Sequence, residues 1–119
     1  LVPVPLSPWR RLERGHDQAL GLARALGLEL EREVLRALVR TRHGPAQGSA
    51  LGRSRAANVR GAFRLRRLVG RRVRGRELWL VDDVATSGAT AAECARVLSR
   101  AGARSVGLLV LARAGQGPR

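Results

Sequence analysis

The residues best suited to chemistry are Asp82-Asp83-Val84-Ala85-Thr86-Ser87-Gly88-Ala89-Thr90, a carboxylate pair followed closely by hydroxyls and a glycine. An apolar run leads into them, and a run with helical spacing leads out. Strand, short glycine-containing turn and helix N-terminus, in that order, make an anion site. The backbone N–H groups of Ser87 to Thr90 would converge on one point, with the positive end of the helix dipole behind them. Thr86, Ser87 and Thr90 add hydroxyl donors, and Gly88 lets an oxyanion come close to the backbone. Asp82 and Asp83 would repel a second phosphate, so they suit neutral hydroxyls or a Mg²⁺ ion. A phosphorylated sugar satisfies both halves. A double Asp at a strand end is often only a solvated loop, and Thr-x-x-Glu is often only a cap. The succession of all the parts is what favours the phosphate site.

The elements that must hold these residues follow from periodicity. Glu77 to Asp82 reads as a buried parallel strand whose polar end reaches a loop. Ala91, Cys94, Ala95, Leu98 and Ala101 share one helical face, with Thr90 and Glu93 as a capping box and Gly102 as the left-handed residue past the end. Ser105 to Ala112 reads as a second buried strand, so Glu77 to Ala112 has the order of a right-handed βαβ unit. Leu1 to Leu6 is strand-like, and Pro3 and Pro5 assign it to an edge or a strand terminus. Asp17 caps a helix with Leu20, Ala23 and Leu26 on one face, ending at Gly27, and Glu33 to Arg40 reads as the next strand. Thr41 to Ala62 reads as a long functional or mobile loop, and Phe63 to Leu68 with Val69 to Val73 as a short hairpin. Together these predict an α/β chain with a doubly wound, mainly parallel sheet and a site at the strand C-termini.

Composition bounds the rest. The 119 residues have room for one domain at roughly 100–200 residues each. No apolar stretch approaches the length of a membrane span, and a cytoplasmic address is expected. The lone Cys94 cannot form an intramolecular disulfide or a cysteine-cluster metal site, and its place on the apolar helix face makes it core. His16 and His43 lack companions at metal spacing and read as surface residues. Trp9 and Trp79 have no aromatic neighbours in sequence, which argues against a base-stacking platform. The chain opens on Leu1 and contains no Met, so a missing N-terminal portion is anticipated. All 23 basic residues are Arg, and the formal charge is +14. Thirteen of them lie between Val34 and Arg76, a stretch without a single acid. Such a field is either a solvated, codon-shaped face or a footprint for nucleic acid or polyphosphate, with Arg64, Arg66 and Arg67 as the nucleic-acid candidates.

At Asp82 to Thr90 the sequence resembles the type I phosphoribosyltransferases, whose motif is a strand ending in two acids and a Thr/Ser-Gly-x-Thr turn. The resemblance implies that Asp82 and Asp83 face the ribose hydroxyls of phosphoribosyl pyrophosphate and are the catalytic pair. Ala85, Thr86, Ser87, Gly88, Ala89 and Thr90 would then grip its 5-phosphate, with Mg²⁺ as cofactor. Ser87 stands where a second Thr is common. Further residues narrow the likeness: Pro3-Val4-Pro5-Leu6, Glu13-Arg14-Gly15-His16-Asp17-Gln18, Arg40-Thr41-Arg42, Gln47, Leu51, Arg55 and Asn58-Val59-Arg60-Gly61-Ala62-Phe63. In this order they resemble the ComF competence-protein family, which implies a link to natural transformation and single-stranded DNA. Members often carry Arg-Gly-Phe-Asn-Gln where this chain has Arg14-Gly15-His16-Asp17-Gln18, and many carry a cysteine-rich zinc module. Arg14 and Gly15 would hold the pyrophosphate. Gln47, Arg55, Asn58 and Arg60 fall where a flap would fold over bound ligand. A homodimer is a further expectation. The rival expectation is a non-catalytic single-stranded-DNA-binding factor that keeps the phosphate site.

Overall fold

A computed structural model of the chain describes residues 1–5, 17–41, 59–85 and 88–113. Along the chain these form β1 (Val2–Pro3), α1 (Gln18–Leu30), β2 (Leu38–Arg40), β3 (Phe63–Leu65), α2 (Gly70–Val73), β4 (Glu77–Ala85), α3 (Ala89–Arg100) and β5 (Ser105–Arg113). β4 is the middle of a three-stranded sheet ordered β1-β4-β5, and both of its pairings are parallel. The chain is thus α/β, with β4, α3 and β5 as the expected βαβ unit.

In a parallel strand, successive N–H groups point to opposite neighbours. Val4 donates to the Val81 carbonyl at 2.9 Å, so Pro3 and Pro5, which have no N–H, cost nothing in the ladder with β4. On the far side of β1, Leu35 N–H donates to the Leu1 carbonyl at 2.8 Å and draws the approach to β2 alongside. The strand expected over Glu33 to Arg40 is regular only at Leu38–Arg40, where it pairs antiparallel with Phe63–Leu65 in a separate two-stranded sheet. The expected hairpin is therefore corrected. Phe63–Leu65 takes its partner from Leu38–Arg40, and Gly70–Val73 forms one helical turn that buries Val73.

Side-chain alternation along β4 divides the core. Leu78 and Leu80 join Cys94 and Leu98 of α3, Leu38 and Phe63 of the small sheet, and Val2 and Val4 in one buried cluster. Val81 points the other way, toward the side where α1 packs on β4 through its buried positions Ala19, Ala23 and Gly27. Asp17 caps α1 as expected, its carboxylate accepting from Leu20 N–H at 3.0 Å. The helix does not stop at Gly27. It runs to Leu30 and closes on Glu31, at φ 54°. Gly27 is needed for space: a Cβ there would meet the Arg32 carbonyl oxygen at 2.8 Å and Val34 Cγ2 at 2.9 Å. α3 does end as expected, with Gly102 N–H on the Ser99 carbonyl and Ala103 N–H on the Leu98 carbonyl, the paired bonds of a Schellman motif.

Candidate functional site

β4 delivers Asp82 and Asp83 to the C-terminal end of the parallel sheet, where both are half-buried. Alternation turns them to opposite faces, and the Asp83 N–H donates to Asp82 Oδ1 at 2.9 Å. Asp82 looks toward α3. Burial pushes the Cys94 thiol up to about 12, and the Asp82 carboxylate adds to that shift, so Cys94 is core and inert as a nucleophile. The strand runs on through Val84 and Ala85, whose Cα partners are Ala112 and Arg113. Ala85, expected in the phosphate turn, is thus a strand residue. Thr86 and Ser87 lie outside the described residues, as do Arg14, Gly15, His16, His43, Gln47, Leu51, Arg55, Asn58, Trp9 and all of 42–58.

Gly88 stands at the head of α3 with φ 83° and ψ −2°, a left-handed conformation that glycine adopts without penalty. No side chain among the described residues caps this helix. The capping box expected of Thr90 and Glu93 does not form, because Thr90 already lies within the first turn and Glu93 is committed elsewhere. The helical ladder starts with Ala92 N–H on the Gly88 carbonyl at 2.9 Å. The N–H groups of Thr90 and Ala91 precede it and have no partner among the described residues, leaving donors at the positive end of the helix dipole.

Glu93 is the one buried charged residue among those described, only 8% exposed. Oε1 accepts from Arg96 Nε at 3.0 Å, and Oε2 from Arg96 NH2 at 2.6 Å and from Gly61 N–H at 3.1 Å. The Arg96 fork holds the carboxyl below its ordinary value against the opposing effect of burial, with help from Gly61 and the nearby Arg60. The carboxylate thereby staples the turn at residues 59–61 to α3. Between them lies a cleft of about 550 Å³, walled by Val59, Arg60 and Gly61 on one side and by Ala89, Ala92, Glu93 and Arg96 on the other. Arg96 and the cleft were not anticipated from sequence. The Glu93–Arg96 spacing on one helix was the available signal, whereas the Gly61 contact spans 32 residues.

Arg64, Arg66 and Arg67 are all exposed, on β3 and just after it. Arg66 Nε donates to the Arg36 carbonyl at 3.0 Å, and none of the three has an acidic partner among the described residues. Other arginines are spoken for: Arg72 and Arg76 both pair with Glu33. A second hollow, of about 500 Å³, lies at the opposite end of β4 and includes Glu33, Arg76, Trp79 and Leu109. Among the described residues, no three His, Cys, Asp or Glu side chains cluster as metal ligands, and no helix is long and apolar enough to cross a membrane.

No protein-family model matches the chain, and no solved structure does. Curated relatives do match. The DNA utilization protein YhgH of Escherichia coli (strain K12) is 38% identical over 117 residues, covering 95% of this chain and 48% of that protein. The YhgH of Salmonella typhimurium is 35% identical over the same span. Competence protein F of Haemophilus influenzae is 33% identical over 115 residues, 96% of this chain and 50% of its own length. The chain spans about half the length of the curated relatives it matches, and over nearly all of its own residues it is homologous to proteins named for competence and for DNA utilization.

Proposed function

We propose that this chain is a phosphoribosyltransferase-like domain of the ComF type, which binds phosphoribosyl pyrophosphate or a related sugar phosphate and serves DNA uptake. One arrangement carries the reading. A parallel strand carries the Asp82–Asp83 pair near its end at Ala85, and the helix that follows opens at Gly88 with the Thr90 and Ala91 N–H groups unpaired among the described residues. Ligands of open α/β sheets bind at this end of the strands. The relatives' names support the link to DNA.

In this reading Asp82 and Asp83 take the ribose hydroxyls, and the turn from Thr86 to Thr90 anchors the 5-phosphate. Arg14, with Gly15, steadies pyrophosphate as it leaves the anomeric carbon. Charge develops on the sugar ring and the leaving group, so the residues act by positioning and electrostatics and no protein nucleophile is required. Two half-buried carboxylates, with no cluster of three such ligands among the described residues, suit a Mg²⁺ ion that keeps waters and takes its remaining ligands from substrate phosphates. When bound, the ion would neutralise the pyrophosphate charge.

Calorimetric titration with phosphoribosyl pyrophosphate, with and without Mg²⁺, tests the proposal. Binding strengthened by Mg²⁺ and lost in Asp82→Asn with Asp83→Asn is expected; absence of heat under both conditions overturns it. The second reading, a non-catalytic factor for single-stranded DNA, is favoured by the exposed Arg64, Arg66 and Arg67, which carry no acidic partner among the described residues.

A further inference from the structure

The geometry points to a ligand that continues past the phosphate: the cleft between residues 59–61 and α3 receives the second nucleoside of a phosphodiester, so that the site holds the last link at the 3′ end of a DNA strand, whose free hydroxyl faces the aspartates, as well as a terminal phosphate. This rests on the phosphate reading of the turn at Gly88.

Two directions lead away from that turn. One goes to Asp82 and Asp83, the proposed sugar contacts. The other enters the cleft at Ala89, the first residue of α3, and follows the helix past Ala92 to Arg96, and neither aspartate lines it. A sugar monophosphate ends at its phosphate and leaves the second direction unused, whereas a phosphodiester has a nucleoside on each side and uses both. At about 550 Å³ the cleft falls within the range of small-molecule sites.

Its lining suits a nucleoside and its flanking charge. Val59, Gly61, Ala89 and Ala92 give small apolar walls for a sugar or the face of a base. Arg60 and the Glu93-paired Arg96 bring guanidinium planes, on which bases stack. The acid in the cleft does little to repel an anion, because Arg96 and Gly61 already engage both Glu93 oxygens. Glu93 is then a positioning residue that keeps Arg60 at the cleft wall.

The test compares thymidylyl-thymidine, which carries one internal phosphate, with thymidine 5′-monophosphate, by calorimetry at fixed salt. The dinucleotide has the smaller charge and a single phosphate, so a diffuse arginine field does not favour it. It is nevertheless expected to bind about tenfold tighter, the equivalent of about 1.4 kcal/mol. Ala92→Phe, at an exposed position, fills the cleft and should abolish that advantage while leaving monophosphate affinity within about twofold. Arg60→Ala should lower dinucleotide affinity by about tenfold, as expected when one stacked guanidinium is removed. Equal or weaker dinucleotide binding by the unaltered chain overturns the inference and spares the phosphate reading. So does an Ala92→Phe chain that melts normally and keeps the advantage, or weakens both ligands alike. Failure of both ligands to bind the unaltered chain removes the phosphate reading, and the inference with it.

Discussion

The two sheets use their residues in opposite ways. In the parallel sheet, β4 carries Leu78, Leu80 and Val81 at 4%, 1% and 0% exposure, and between Glu77 at its start and Asp82 near its end it has no charged residue. In the β2–β3 ladder only one face is sealed. Leu38 and Phe63 turn inward, while Arg64 stays in water and Arg40 lies over the Phe63 ring, its guanidinium carbon 5.0 Å from the centroid. Burial on both faces fixes the geometry of a carboxylate pair, and a half-solvated ladder leaves Arg64 in water with no acidic partner among the described residues. Glu93 joins the two, reaching from the helix of the first to the turn that leads into the second.

Stability should separate the sheets most sharply. Leu80→Ala removes a side chain only 1% exposed and should cost about 3 kcal/mol, within the usual range for buried leucines. Arg64→Ala, on the exposed face of the ladder, should stay within about 0.5 kcal/mol. Urea denaturation of both variants checks the contrast, and equal losses would erase it. Next in size is Gly107, opposite Trp79 in the β4–β5 register. A Cβ there would run into the indole ring. Gly107→Ala should cost roughly 1–3 kcal/mol as overpacking, and adding Trp79→Ala should recover part of it, since the three nearest atoms all belong to that ring. Additive losses would place the strain elsewhere.

Glu93 comes next. Glu93→Ala leaves the Gly61 N–H and the Arg96 fork without their acceptor and should cost roughly 1–3 kcal/mol. Thr90→Ala should cost less than about 0.5 kcal/mol, because Thr90 is not a cap. A larger loss at Thr90 than at Glu93 would restore the capping box. The pH dependence has a definite sign. The folded carboxyl titrates below the ordinary 4.5, so its stabilisation is complete above that pH and lost as pH falls through the lower folded value. The stability gap between the unaltered chain and Glu93→Gln should therefore close only in acid below pH 4.5.

What the sequence reveals follows the range of the forces involved. β4, α3 and β5 are legible because an apolar run, a helical stripe and a second apolar run each report their own burial within a dozen residues. The approach of that strand to Asp82 and Asp83 is legible for the same reason, although the strand runs on to Ala85. The ladder is not legible, because Phe63–Leu65 has nothing local to distinguish a partner at Val69–Val73 from one at Leu38–Arg40. Gly27 reads as a helix stop, yet its role comes from the return of Arg32 and Val34 across it, a proximity that composition cannot show. Glu93 misleads in the same way: three residues after a threonine it imitates a cap, while its partner Gly61 lies far back in the chain.

The finest test sets the two sheets against each other through ligands. Asp82→Asn with Asp83→Asn removes two negative charges from the end of the parallel sheet, abolishing sugar-phosphate binding while leaving unchanged or raised the part of single-stranded-DNA affinity that the exposed arginines of the ladder supply. Replacing Arg64 and Arg67 by Ala should do the reverse, and with little cost in stability, since neither side chain has a partner among the described residues. The measurable consequence is the salt dependence of DNA affinity, whose slope should become shallower by about 0.7 log unit per log unit of salt for each phosphate that an arginine no longer neutralises. A shallower slope with sugar-phosphate affinity intact separates a cationic ladder that follows a strand from an acidic strand end that holds a sugar. Were the slope unchanged, the exposed arginines would be solvated surface, and any DNA binding would have to come from the cleft beside α3.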